Sequence, residues 1–324
     1  MMSRPAPIRT VALVAFVLCF VVVVLGAYVR LSAAGLGCPD WPGCYGHFSP
    51  AEAVAAADAA GGTLDGATVE AGKAWKEMIH RYAAATLGLL IVVIATLAIR
   101  YRASRTVALP YALGLLGLVV VQGLLGMLTV TQRLLPAIVT AHLLLGLSTL
   151  SMLWWMVLTL GRRETSAWRG STAYLGSSLP RTRVLALAGL AALAMQIALG
   201  GWTSSHYAAT GCPDFPRCQA HWWPPASAGS AAAIHFTHRV GAVIAALVLV
   251  LAAVRALRSR SDDFARRAAI AVLAALALQL TLGITMVLSG FPLWLATAHN
   301  AGAALLLLAA IALNRSLRPA WTAG

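Results

Sequence analysis

The chain has 324 residues, of which 60% are hydrophobic and 10% charged, and a formal net charge of +14. That much apolar surface exceeds what a water-soluble core can bury, which excludes an ordinary soluble domain. The positive charge lies in short Arg-rich loops rather than on a basic patch studded with aromatic rings, which argues against nucleic-acid binding.

Eight apolar runs approach the length of about twenty residues needed to cross a bilayer. They fall near 11–30, 78–99, 109–130, 138–160, 183–203, 236–255, 267–289 and 293–313. The predicted fold class is an all-α integral membrane protein with eight transmembrane helices. The first run follows Arg4 and Arg9 and has the make-up of a signal peptide. Its counterpart in the second half, 183–203, is internal, so the first run is read as span 1. Cys19 inside it is expected to be an inert buried thiol.

The loops alternate in charge. The N-terminus, the loops near 100–108, 161–183 and 255–267, and the C-terminus hold 17 Lys/Arg and 3 Asp/Glu, against 7 and 7 in the rest of the chain. An excess of Lys and Arg marks the cytoplasmic side. Both termini are therefore expected inside, with the remaining loops on the outer face of a bacterial plasma (inner) membrane.

Residues 38–44, CPDWPGC, return at 212–218 as CPDFPRC. At the same offset of 174, Gly26 pairs with Gly200, Tyr28 with Trp202, Gly37 with Gly211 and Asp40 with Asp214. Downstream, His80-Arg81 pairs with His238-Arg239 at offset 158, and Gln122, Gly126 and Ala141-His142 pair with Gln279, Gly283 and Ala298-His299 at offset 157. The chain thus reads as a duplication of one four-span unit. An even number of spans gives both copies the same orientation, unlike the inverted repeats of many transporters. The expected arrangement is two tandem pseudo-symmetric four-helix bundles, residues 1–160 and 183–324, joined by a cytoplasmic linker, 161–182. The outer loop near 45–76, with Glu52, Asp58, Asp65 and Glu70, is expected to hold a short surface helix leading to Trp75 and Lys76.

Cys38, Cys44, Cys212 and Cys218 fall on the oxidising side, where disulfides persist. Two within-loop disulfides are expected, each stabilising its loop by roughly 2 kcal/mol. Neither pair is a C-x-x-C motif. A thiol relay through the first pair stays open beside the structural reading.

Four histidines lie at similar depth in four spans that all start on the outer face: His80, His142, His238 and His299. At 1.5 Å per residue each falls within about 10 Å of that surface. Ionisable groups in a span usually face the bundle interior and carry function. Two imidazoles per bundle suit the two faces of a haem, whereas zinc would want three or four converging ligands. The plainer alternative is a set of interhelical hydrogen bonds. Arg81 and Arg239 could meet haem propionates, or snorkel to the headgroups.

The segments EMIHR at 77–81, HFTHR at 235–239, TAH at 140–142 and 297–299, and GAYVRLSAAGLGCPDWPGC at 26–44 resemble those of the haem A synthase (CtaA/Cox15) family. The resemblance covers nearly the whole chain, including the duplicated eight-span plan. It implies oxidation of the C8 methyl of haem O to the formyl group of haem A, for use in terminal oxidases. It further implies that His80 and His142 flank the substrate haem, with Arg81 nearby, and that His238 and His299 ligate a haem B in the C-terminal bundle. Arg239 and His235 would support that cofactor. The long Ala-rich insert after Cys44 matches no family feature.

The duplication breaks three residues before each first histidine, where Glu77 faces His235. Residues at i and i+3 share a helix face, so Glu77 can point toward the ligand of His80. The family's catalytic Glu matches Glu77, which could stabilise a cationic methylene or act as base toward water. The alternative is a first-turn Glu favoured by the helix N-terminus. Haem O synthase and an unidentified electron acceptor are implied partners, and a homo-oligomer is possible. The rival functions are a bis-histidine dihaem cytochrome without substrate chemistry, a thiol oxidant using the outer cysteines, and a transporter.

Overall fold

The computed structural model describes residues 6–64, 67–102, 107–162, 179–259 and 263–317. Among them, eight helices are long and apolar enough to span a membrane. They are α1 (Ala6–Leu31), α3 (Ala71–Arg100), α4 (Leu109–Thr131), α5 (Pro136–Arg162), α6 (Leu179–Ser205), α7 (Gly229–Arg258), α8 (Asp263–Leu288) and α9 (Leu293–Ser316). The expected short helix in the first long loop is α2 (Pro50–Ala59), started by Pro50 and by Ser49, whose Oγ accepts from the Ala51 N–H at 3.3 Å. A two-residue-a-side hairpin follows, Thr63–Leu64 against Ala67–Thr68. Asp65 and most of the expected linker 161–182 lie outside the described residues.

The run Val21–Val24 would favour a strand in water, yet it lies in α1. In a bilayer every backbone polar group must be satisfied within the segment or by a closed barrel, so the helix wins over β propensity. Hydroxyl groups in the spans follow the same rule. Ser148, Thr149 and Thr159 each donate to the carbonyl one turn back, at 2.8–3.0 Å.

The chain divides into two compact units, residues 1–153 and 154–324. In the first, α3 packs between α1 and α4, and Tyr111 of α4 donates its hydroxyl to the Met152 carbonyl at 2.7 Å. In the second, α6, α7, α8 and α9 close a ring, each packed on its neighbours, with α9 returning to α6. Small side chains make that ring tight: Ala252, Ala253, Ala256, Ala269 and Ala304 are fully buried. Apolar side chains gain little by leaving lipid for protein, so close backbone approach supplies the attraction. Buried Asn314 ties α9 to α6, donating to the Ala186 carbonyl at 3.0 Å.

The apolar runs beginning at 78 and 236 put His80 and His238 at the start of their spans, and this is corrected: α3 starts at Ala71 and α7 at Gly229, nine residues before each histidine. The apolar runs begin only after Lys73 and Lys76 in one copy and after the small residues 229–233 in the other, but each helix starts several residues earlier. Glu77 is therefore in the second turn of α3, and the first-turn reading of it falls away.

Candidate functional site

Each unit builds its site from a disulfide loop and two histidine-bearing helices. The two loops share one construction. Cys38–Cys44 and Cys212–Cys218 are bonded, with Cα–Cα distances of 4.6 Å, and all four cysteines are fully buried. Asp40 accepts from the backbone N–H groups of Tyr45 and Gly46 at 2.6 and 2.9 Å; Asp214 accepts from those of Gln219 and Ala220 at 2.6 and 2.8 Å. The peptide bonds before Pro42 and Pro216 are cis. These contacts give the repeated Asp and second Pro their places, and Cys44 and Cys218 pair through backbone with His47 and His221. His47 and His221 thus act through their main chains.

The loops lie directly on the ligand helices. A Cβ on Gly37 would sit 2.6 Å from the Lys73 carbonyl carbon, and one on Gly211 would sit 2.5 Å from that of Ala231. Only glycine permits that approach. It brings the N–H of Cys38 to Glu77 Oε2 at 3.0 Å, and the N–H of Cys212 to His235 Nδ1 at 3.2 Å. The two residues that break the duplication thus occupy one role, accepting a hydrogen bond from the first cysteine of the loop. Both are 4% exposed.

Arg81 and Arg239 complete the parallel. Arg81 pairs with Glu77 Oε1 at 2.5 Å and donates to the carbonyls of Gly43 at 2.5 Å and Pro42 at 3.3 Å. Arg239 Nε lies 3.3 Å from His235 Nε2, and the guanidinium donates to the carbonyls of Arg217 and Cys212 at 2.8 and 2.7 Å. The fork of the guanidinium suits this several-point grip on a loop.

The four histidines come together as two pairs. His80 and His142 are near enough to interact electrostatically, and so are His238 and His299. Each ring rests against a glycine of a neighbouring helix. A Cβ would approach Cε1 of His80 at 2.9 Å from Gly26, of His142 at 3.5 Å from Gly126, of His238 at 3.1 Å from Gly200 and of His299 at 2.9 Å from Gly283. Nδ1 of His80, His142 and His299 is buried with no hydrogen-bond partner among the described residues. Buried polar atoms left unpaired are uncommon and ask for a ligand or another explanation. Two imidazoles per unit, seated in glycine notches with ring nitrogens to spare, could hold a haem iron.

Sequence reasoning did not single out Gln196. Its side-chain amide lies 3.0 Å from His238 Nδ1 and donates to the His238 carbonyl at 2.9 Å. The partner position at offset 174 is Val22, so the mismatch was readable in the alignment of the two halves.

Residues 9–311 match the family model COX15-CtaA, described as cytochrome oxidase assembly protein. The chain belongs to the COX15-CtaA family. Its relatives include the heme A synthase of Shewanella oneidensis, 38% identical over 93% of this chain and 94% of that one. The heme A synthase of Symbiobacterium thermophilum is 28% identical over 85% of this chain and 84% of its own length. That of Paracoccus denitrificans is 33% identical over 49% of this chain and 43% of its own.

Proposed function

We propose that this protein is a haem A synthase that takes haem O as substrate and converts its C8 methyl to the formyl group of haem A, acting as an oxidoreductase. Two successive hydroxylations, each taking oxygen from water, releasing two protons and passing two electrons to the electron acceptor, would give an alcohol and then a geminal diol, which loses water. His80 and His142 would hold the substrate haem in the first unit, and His238 and His299 a haem B in the second. Haem B bound there would supply one-electron chemistry. The sites would lie near the outer face of a bacterial inner membrane, with both termini in the cytoplasm. Haem O synthase and an electron acceptor would be partners.

The observation that carries the division of labour is the exchange of Glu77 for His235 at the point where each disulfide loop meets its ligand helix. Glu77 is a carboxylate three residues from His80, on the same helix face. It can accept a proton from attacking water or face developing positive charge on the substrate methylene. Arg81 and Cys38 fix its position, so the carboxylate needs no reorganisation when charge develops. His235 offers an imidazole at that place and supports the cofactor side instead. Arg81 and Arg239 would hold the loops over the edge of each haem. Mass analysis of pigments extracted from protein made with and without a supply of haem O tests this reading. Haem A is expected only with the supply; none in either case would overturn it.

A further inference from the structure

The cations next to the ligand histidines are committed to their loops. Arg81 grips Glu77 and the carbonyls of Gly43 and Pro42, and Arg239 the carbonyls of Arg217 and Cys212. In the first unit a second pair of cations flanks the histidine seat. Gly26 of α1 receives the His80 ring. Arg30 follows Gly26 by four residues and Lys76 precedes His80 by four, so each shares a helix face with that residue. Helix α1 runs toward the disulfide loop and α3 away from it. Both cations therefore lie about 6 Å along the helices from the Gly26–His80 contact, on the loop side.

Lys76 is half-buried, and its Nζ lies 5.4 Å from the centre of the Tyr28 ring on α1. Among the described residues no carboxylate pairs with it. Glu70 is held by Lys73 at 2.8 Å, and Glu77 by Arg81. A partly desolvated ammonium without a counter-ion favours an anionic ligand. The second unit lacks this arrangement. Ser204 stands where Arg30 would be and Ile234 where Lys76 would be, at the offsets of 174 and 158 that align the rest of the repeat. Trp202, the counterpart of Tyr28, packs on the His206 ring at 4.2 Å instead. The cation peculiar to this unit, Arg217 in place of Gly43, is on the disulfide loop, over the Trp222 ring.

We propose that Lys76 and Arg30 form a carboxylate cradle that binds the propionates of the substrate haem and so turns its C8 methyl toward Glu77. The inference rests on the placing of haem O in the first unit. In haem O the C8 methyl and a propionate are neighbours on one pyrrole ring, so a held carboxylate also places the methyl. Glu77, three residues before His80, lies on the same loop side as the two cations. A haem bound with its carboxylates at the other end would carry the methyl away from Glu77. Arg supplies a planar fork for one carboxylate and Lys a point charge for the other. A resident haem that only passes electrons has no methyl to place, and the second unit has neither cation.

Absorbance titration of the full-length protein, its second unit already haem-loaded, with haem O and with haem O dimethyl ester tests the cradle. The ester keeps the ring and the iron but loses both negative charges. The parent is expected to bind haem O at least tenfold more tightly than the ester, as charge-assisted bonds imply, and His80→Ala to abolish the binding of both. Lys76→Met weakens haem O about tenfold and leaves the ester unchanged, Lys76→Arg restores most of the loss, and adding Arg30→Gln to Lys76→Met removes the preference for the free acid. An unchanged spectrum of the second haem reports that a variant is folded; if Arg30→Gln unfolds the chain, the two titrations of Lys76→Met decide alone. Equal affinity of the parent for acid and ester, or equal losses of both in Lys76→Met, would overturn the cradle and assign the cations to lipid headgroups or to packing. A parent that binds neither compound, or whose titration ignores His80→Ala, would overturn the functional reading itself.

Discussion

The backbone N–H of Cys38 donates to Glu77 Oε2 across 39 residues of sequence, and its counterpart Cys212 makes the same bond to His235. The disulfide loop and the residue that distinguishes the two units are thus a single structural element. Glu77→Gln keeps an acceptor for Cys38 but loses the ion pair with Arg81. It is expected to retain bound haem, measured by the reduced pyridine adduct, and to form at least a hundredfold less haem A, in line with loss of an acid–base group. Turnover at the parent rate would remove Glu77 from the chemistry.

Glu77→Ala goes further, leaving Arg81 partly buried without its carboxylate. A penalty on the order of 1–3 kcal/mol is expected from the abandoned partners. Thermal unfolding followed by haem absorbance would show it, and the Gln variant should lie between Ala and the parent.

Replacing Cys38 and Cys44 together by Ala removes a small closed loop and should cost roughly 2 kcal/mol. The reaction should survive in proportion to folded protein. A variant that stays fully folded and haem-loaded yet makes no haem A would instead favour a thiol relay through this buried pair.

Gly26→Leu and Gly283→Leu push side chains into the seats of His80 and His299, where even a Cβ would stand 2.9 Å from Cε1. Each should empty its own unit and spare the other. Haem stoichiometry falling from two to one per chain is the expected reading, with the surviving haem differing between the two variants.

Asp214 lies in a loop, where desolvation raises its pKa but the N–H groups of Ala220 and Gln219 outweigh it, so the carboxyl titrates below the usual aspartate range. A carboxyl held low in the folded state contributes stability above its unfolded pKa of about 4 and loses it as pH falls through the folded value. Loop opening, read by protease nicking after Arg217, should rise in that acid range and become flat with pH in Asp214→Asn.

Much of this was legible in the residues. Twenty-residue apolar runs fix helices in a bilayer whatever their β propensity, which is why all eight spans could be placed. The cysteine pairs were legible because five intervening residues with two prolines leave little freedom. The helix starts were not, since Ala71–Lys76 is too polar for a span yet continues the hydrogen-bonded ladder of α3. The partner of Glu77 was hidden for another reason. Facing positions along one helix say nothing about a loop that returns from another part of the chain. Gln196 was concealed by comparing what the halves share, when the information lay in where they differ.

Gly37 has no side chain, and that lack has reach. It lets the loop settle on the main chain of Lys73, and from there the neighbouring amide falls within bonding range of the carboxylate. A single added methyl at that position would lift the whole ring of seven residues off its seat and strip an acid of one of its two anchors. The position of the Glu77 carboxylate is therefore set in part by an atom that residue 37 does not have.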